Sequence, residues 1–290
     1  MTRLPLVEVA EDRDWLAPVS IQEAFRIQQR FVFPDFLSVS WTLLVVILPS
    51  TYYLARVLPQ VLLPGEAFFD SRTCLSSMVW AAASLASFFM ASCRNPGVVP
   101  RSAFSAPGKT RLVVINGVAL KQRYCNTCRI YRPMRSKHCA LCDRCVFRFD
   151  HHCIWLGNCV GLGNYRTFLF LVFVATLFFG QAAVVTCKVL HRAFVVYRLL
   201  PRLMVGEVLF AVYAAVLFFA LFVLLLYHTV ILSYNLTTNE HVRDAYPTRN
   251  PYDVSCLNNY KQIFCAPYGR IVSVNTYPVV EEQREGSHCV

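Results

Sequence analysis

Residues 125–159 read CNTCRIYRPMRSKHCALCDRCVFRFDHHCIWLGNC, with the spacing C-x2-C-x9-H-C-x2-C-x2-C-x4-D-H-H-C-x5-C. These 35 residues hold seven of the chain's 13 cysteines and three of its seven histidines. A Cys-x2-Cys pair brings two thiolates from one tight turn onto a tetrahedral metal, and paired Cys/His sets at such spacings read as structural zinc. Two zinc ions with four ligands each take eight of the ten candidates Cys125, Cys128, His138, Cys139, Cys142, Cys145, His151, His152, Cys153 and Cys159. One cysteine and one histidine remain, the composition of a nucleophile and its base. The arithmetic leaves open which two are spare. Asp150-His151-His152-Cys153 points to the answer, since it puts an acid, an imidazole and a thiol within four residues.

Outward from this stretch the chain is basic and then apolar. Residues 94–166 carry 13 Lys/Arg against two acids, which accounts for the whole net charge of +11. Such a segment beside a bilayer meets anionic headgroups or a polyphosphate ligand. A nucleic-acid partner is not expected, because no known nucleic-acid fold fits a loop pinned between membrane spans. Over the full 290 residues the chain is 56% hydrophobic and 16% charged, with mean hydropathy +0.44, too apolar for a soluble globular protein. Phe36–Ala55, Thr73–Cys93, Thr167–Cys187 and Val208–Tyr227 run without Asp, Glu, Lys or Arg, each long enough to cross about 30 Å of hydrocarbon as a helix.

The fold class expected is an all-α integral membrane protein. It has four transmembrane helices and a small zinc-bound, cysteine-rich cytosolic domain between the second and third. The segments are 1–35 (cytosolic N-terminal segment), 36–93 (helices one and two), 94–166 (zinc domain), 167–232 (helices three and four) and 233–290 (cytosolic tail). Lys and Arg number 22 in the two tails and the 94–166 loop and six in the two short loops, which places both termini in the cytosol. There the thiols stay reduced and open to metal. Ser20 with Glu23 suggests a capping box for a helix to about Phe33, and Leu112–Leu120 around Asn116-Gly117 suggests a β-hairpin. No cleavable signal peptide is visible. A sequon at Asn235-Leu236-Thr237 falls at the cytosolic membrane edge and is expected to stay unmodified.

The Asp150-His151-His152-Cys153 tetrad inside this cysteine frame resembles the DHHC family of protein S-acyltransferases (palmitoyltransferases). The resemblance covers about Phe36 to Cys265, and it extends to Thr237-Thr238-Asn239-Glu240, similar to the family's TTxE motif, and to an aromatic C-terminal motif holding Asn259 and Tyr260. Ile154 stands where the family has proline, and Asn95-Pro96-Gly97 replaces Asp-Pro-Gly. The resemblance implies one zinc on Cys125, Cys128, His138 and Cys145 and another on Cys139, Cys142, His152 and Cys159. It implies Cys153 as nucleophile, His151 as base and Asp150 as the group orienting it, with palmitoyl-CoA or another long-chain acyl-CoA as co-substrate. The acyl chain is expected among the helices under Trp155, with Phe178 setting its depth. Arg123, Arg129, Arg132, Arg135 and Lys137 are expected on the CoA phosphates, with acidic lipids as the competing ligand. Partners are membrane lipids, acyl-CoA and protein substrates with cytosolic, membrane-proximal cysteines, and the location is the Golgi or endoplasmic reticulum. A membrane adaptor with zinc but no chemistry, or an enzyme acylating a small molecule or lipid, are the competing readings.

Overall fold

The computed structural model describes residues 32–61, 71–102, 110–199, 201–265 and 279–280. The helix expected from Ser20 falls almost wholly outside them.

Four long helices form the membrane part. Helix α1 (Phe36–Tyr52) continues through a π turn (Tyr53–Val57) and a 3-10 turn (Leu58–Val61). Helix α2 spans Ser71–Cys93, α3 Tyr165–His191 with a π turn to Val196, and α4 Val205–Ser233. All four are long and apolar enough to cross a bilayer. α3 and α4 outrun the charge-free stretches at both ends, taking in Arg166, Lys188, Arg192 and Glu207. Charged side chains at helix ends reach the interface, so a charge does not mark where such a helix stops.

The backbone cost of Pro49 is met locally. A proline at this position cannot donate to the carbonyl four residues back, that of Val45. The Tyr213 hydroxyl of α4 donates to that carbonyl at 2.9 Å, so the freed acceptor is satisfied inside the bundle. α3 is the central helix, burying residues such as Phe168, Val172, Phe178 and Ala182 along its length. α4 turns Leu209, Val212, Val216 and Phe219 outward, as a lipid-facing surface requires.

Between α2 and α3 lie four short hairpins. Strands β1 (Arg111–Ile115) and β2 (Val118–Gln122) pair antiparallel around Asn116 and Gly117, both with positive φ, the type I′ turn that the Asn-Gly pair favours. The pairs β3 (Tyr124–Cys125) with β4 (Ile130–Tyr131), β5 (Lys137–Cys139) with β6 (Arg144–Val146), and β7 (His151–Cys153) with β8 (Asn158–Val160) follow. Val279–Val280 (β9) adds to the free edge of β1.

Buried asparagines fasten this domain to the bundle. Asn158 donates to the carbonyls of Ser92 and Arg94, and Asn164 to that of Ala91, capping the open end of α2. Asn95 accepts from the amides of Gly97 and Val98 at 2.9 Å each, so its turn needs no carboxylate. The Gly157 carbonyl accepts from the Asp35 amide at 2.7 Å at the start of α1. Gly157 has φ +59, and a Cβ there would stand 2.6 Å from the Asp35 carbonyl, so glycine is required.

Candidate active site and metal centres

The hairpins sort the ten candidate ligands by strand alternation, since neighbouring residues on a strand point to opposite faces. In β5, His138 faces one cluster and Cys139 the other. Register pairs His138 with Cys145 and His152 with Cys159, each pair within one cluster. The clusters are Cys125, Cys128, His138, Cys145 and Cys139, Cys142, His152, Cys159, with the ligand atoms of each within 4.8 Å of one another. In the first, His138 Nδ1 is 3.5 Å from Cys128 Sγ and 3.9 Å from Cys145 Sγ. In the second, His152 Nδ1 is 3.3 Å from Cys142 Sγ, 3.6 Å from Cys139 Sγ and 3.7 Å from Cys159 Sγ. Zinc at about 2.3 Å from sulfur and about 2.0 Å from nitrogen gives tetrahedral edges of about 3.5–3.8 Å, so both donor sets fit Zn2+. The crowded sulfurs also compete for protons. The Cys159 thiol pulls Cys142 down to about 5, while Cys142 and then burial push Cys159 far up. A divalent cation removes that conflict. We expect about two zinc ions per chain by elemental analysis, and about one in Cys142→Ala. Two zinc ions retained in that variant would disprove the ligand set.

In β7 the same alternation sends His152 to the second ligand cluster and turns His151 and Cys153 to the other face. Asp150, 1% exposed, places Oδ2 2.7 Å from His151 Nδ1, and its Oδ1 accepts from the Thr238 amide at 2.8 Å. This leaves Nε2 of His151 for Cys153. Burial alone pushes His151 down, but its bonds to Asp150 and then to Cys153 outweigh that and hold it at about 9. Cys153 itself lies in an apolar cluster with Phe88, Leu156, Phe168, Leu169 and Val172, where the domain meets the helices.

Beyond α4 the chain turns into α5 (Thr238–Val242), with Thr237 as N-cap in a reciprocal capping box with Glu240. Glu240 also receives Arg135 in a two-pronged ion pair, Nε and Nη2 at 2.7 and 2.6 Å, and the Tyr246 hydroxyl at 2.9 Å. Arg135 further donates to Asn235 and lies over the Tyr252 ring at 4.4 Å. The expectation that Arg135 holds a CoA phosphate therefore needs correction: its guanidinium is largely buried and committed to Glu240. Asn235, 2% exposed, donates its amide to the Tyr252 carbonyl and to Gln262, so the sequon nitrogen is inside the fold. Asn259 and Tyr260, on α6 (Cys256–Phe264), tie the tail to α4 through the carbonyls of Ser233 and Thr229.

The remaining expected residues are spread out. Arg123 and Arg129 are exposed. Among the described residues, nothing hydrogen-bonds the buried Arg132 Nε. Lys137 is held below the usual lysine range by burial and then by the charge of Arg243, with Arg132 adding to it. Sequence reasoning left out Arg243, which joins this basic group only because α5 folds back onto the zinc domain. Trp155 is half exposed, its carbonyl accepting from Thr42 of α1 at 2.8 Å. Phe178 is buried deep in the bundle, edge-on to Tyr53 with ring centres 6.0 Å apart.

Known proteins share this arrangement. The sequence profile described as DHHC palmitoyltransferase matches residues 119–245. Protein S-acyltransferase 8 of Arabidopsis thaliana is 32% identical over 274 residues, 83% of this chain and 67% of that protein. The chain belongs to the DHHC palmitoyltransferase family. Probable protein S-acyltransferase 7 of the same plant is 30% identical over 269 residues, covering 83% of this chain and 60% of the relative. Human palmitoyltransferase ZDHHC18 is 34% identical over 221 residues, 64% of this chain and 56% of the relative. The chain thus spans from just over half to two thirds of the length of these curated relatives. These relatives carry the names protein S-acyltransferase and palmitoyltransferase. Within this DHHC site, Ile154 in place of proline sits exposed in the β7–β8 turn, whose closing bonds run from Leu156 to Cys153 and from Gly157 to Ile154. Neither bond uses the Ile154 amide, so a proline there would cost this turn no hydrogen bond.

Proposed function

We propose that this chain transfers a long-chain acyl group from acyl-CoA through an acyl-Cys153 intermediate to cysteine thiols of substrate proteins. The observation that carries the proposal is the Asp150–His151–Cys153 line meeting an apolar cluster at the ends of membrane helices. His151 takes the Cys153 proton, and Asp150 holds the ring and supports the resulting charge. The Cys153 thiolate attacks the thioester carbonyl, forming acyl-Cys153 and releasing CoA as a thiolate that takes the proton back from His151. A substrate cysteine, deprotonated by the same imidazole, then attacks acyl-Cys153 and regenerates the free thiol. Thioester is exchanged for thioester, so positioning and thiol activation are the main contributions of the protein. The eight ligands named above would hold two zinc ions, which would fix the hairpins that carry this line.

Each methylene kept from water is worth about 0.8 kcal/mol, which favours holding the chain inside the bundle. Phe178, edge-on to Tyr53 in the bundle core, is the proposed floor for that acyl chain. Phe178→Ala is expected to shift preference toward longer acyl-CoAs by roughly tenfold, read as label from stearoyl-CoA competing with palmitoyl-CoA. An unchanged ratio would remove Phe178 from the depth-setting role. Arg132, Lys137 and Arg243 are the proposed CoA phosphate contacts, supported by the unpartnered Arg132 Nε. Both termini are placed in the cytosol of a Golgi or endoplasmic reticulum membrane on charge distribution and family resemblance.

The test is direct. Purified chain is incubated with alkyne-tagged palmitoyl-CoA and read for label that neutral hydroxylamine removes. We expect label on wild type and none on Cys153→Ala with zinc content unchanged. A zinc-loaded wild type that takes no label would favour an adaptor.

A further inference from the structure

A buried imidazole lies next to the triad and takes no part in the steps above. His228, on α4, is 1% exposed, and its Nδ1 stands 3.1 Å from the hydroxyl of Tyr165, itself 2% exposed. A histidine within a membrane helix is costly unless partnered, and such residues mark functional sites by default. The surroundings of His228 point to the active site. Its ring meets Phe168 edge-on at 5.1 Å and 74°, and Phe168 meets His151 edge-on at 5.3 Å and 71°. The His228 and His151 ring centres are 6.3 Å apart. Behind the pair, the buried Arg148 guanidinium lies 5.1 Å from the Tyr165 ring centre.

The catalytic ring is therefore held on two sides. Asp150 grips Nδ1, but one hydrogen bond leaves the imidazole free to hinge about that contact. Phe168 and His228 stand along the ring and block the hinge. A histidine ring can also turn over about its last side-chain bond, exchanging a nitrogen for a carbon toward each neighbour. The Tyr165 hydroxyl selects one of those two orientations for His228, because only a nitrogen can bond to it. We propose that His228, fixed by Tyr165, is a positioning residue for Cys153 acylation: it braces Phe168 and keeps Nε2 of His151 aimed at the thiol. The inference rests on the acyl-Cys153 reading. It predicts a fall in the rate of a chemical step without loss of binding or of folded enzyme, since a misplacement of about 1 Å can cost up to about a hundredfold.

The experiment is single-turnover labelling of the full chain, reconstituted in lipid nanodiscs, with alkyne-tagged palmitoyl-CoA. Wild type, His228→Leu, Tyr165→Phe and the double variant are compared for rate constant, plateau label, zinc content and half-saturating acyl-CoA. We expect each single variant to slow acyl-Cys153 formation by about tenfold, with plateau, zinc and half-saturation unchanged, and the double variant to be no slower than His228→Leu. Tyr165→Phe keeps the ring and every apolar contact, so it tests the hydrogen bond even where His228→Leu folds poorly. A wild-type rate in Tyr165→Phe, losses that multiply in the double variant, or losses seen only as lower plateau and lost zinc would each overturn the proposal. A wild type that takes no label overturns the acyl-Cys153 reading and this inference with it. A labelled wild type with unaffected variants overturns the inference alone.

Discussion

Asp150→Asn is expected to slow acyl-Cys153 formation by about four orders of magnitude, the loss that the same exchange causes in a serine-protease triad. Both carboxylate oxygens accept a hydrogen bond, Oδ2 from His151 Nδ1 and Oδ1 from the Thr238 amide. An asparagine has one acceptor oxygen and one amide that only donates. With its oxygen toward Thr238, its amide forces His151 to accept at Nδ1, which moves the ring proton to Nε2 and leaves no base facing Cys153. With its oxygen toward His151, the Thr238 amide loses its partner. The second orientation is disfavoured because it sets the asparagine amide against the Thr238 amide, donor against donor, so the first prevails: the shape is kept and the base is lost. Zinc content should match wild type, and hydroxylamine-labile label should build up only over hours. Label forming at the wild-type rate would remove Asp150 from the mechanism.

Arg135→Ala is the second large effect, and it acts on stability first. Removing one partner of a buried ion pair leaves the other charge uncompensated, at a cost of about 3–5 kcal/mol. Glu240 would be left inside the fold, where its pKa is depressed against the effect of burial chiefly by the Arg135 charge. The loss should reach the active site by a short route. Glu240 fixes Thr237 through the capping box, and the next amide, that of Thr238, holds Asp150. A marked fall in melting temperature with slower Cys153 labelling is the expected result. Arg135→Lys should recover only part of it, because an ammonium cannot make the paired Nε and Nη2 contacts. Wild-type melting and labelling in Arg135→Ala would show that the ion pair holds nothing together.

What could be read from the sequence follows the range of the forces involved. The helices were visible because crossing a bilayer demands a long apolar run, and the hairpin at Asn116-Gly117 because that turn needs two residues that tolerate positive φ. The metal sets were countable, but the division between His151 and His152 was not settled by counting. Strand alternation was the signal that could have settled it, with two residues one position apart facing two different tasks. The role of Arg135 was misjudged because its partner lies 105 residues away, and a basic residue beside zinc ligands looks like a phosphate ligand until that partner is seen. The pairing of Tyr165 with His228 was out of sight for a related reason. Each is one of several polar residues in a largely apolar helix, and only packing of α3 against α4 brings them to the same place.

The join between the β7–β8 turn and α1 has a consequence for which thiols can be reached. Gly157 is bonded to Asp35 and Trp155 to Thr42, so the turn just past Cys153 is fastened to the first turns of a membrane helix. On the proposed mechanism Cys153 therefore has a fixed altitude relative to the membrane helices, and it would not rise to meet a thiol held far from them. An acceptor cysteine must come to that altitude, by tethering or by its own fold, and the sequence around it need supply little more than the approach. Under this proposal selection would work as a gauge of height, and a spacer of a few residues between a membrane anchor and its cysteine would change the outcome more than the identity of the flanking residues.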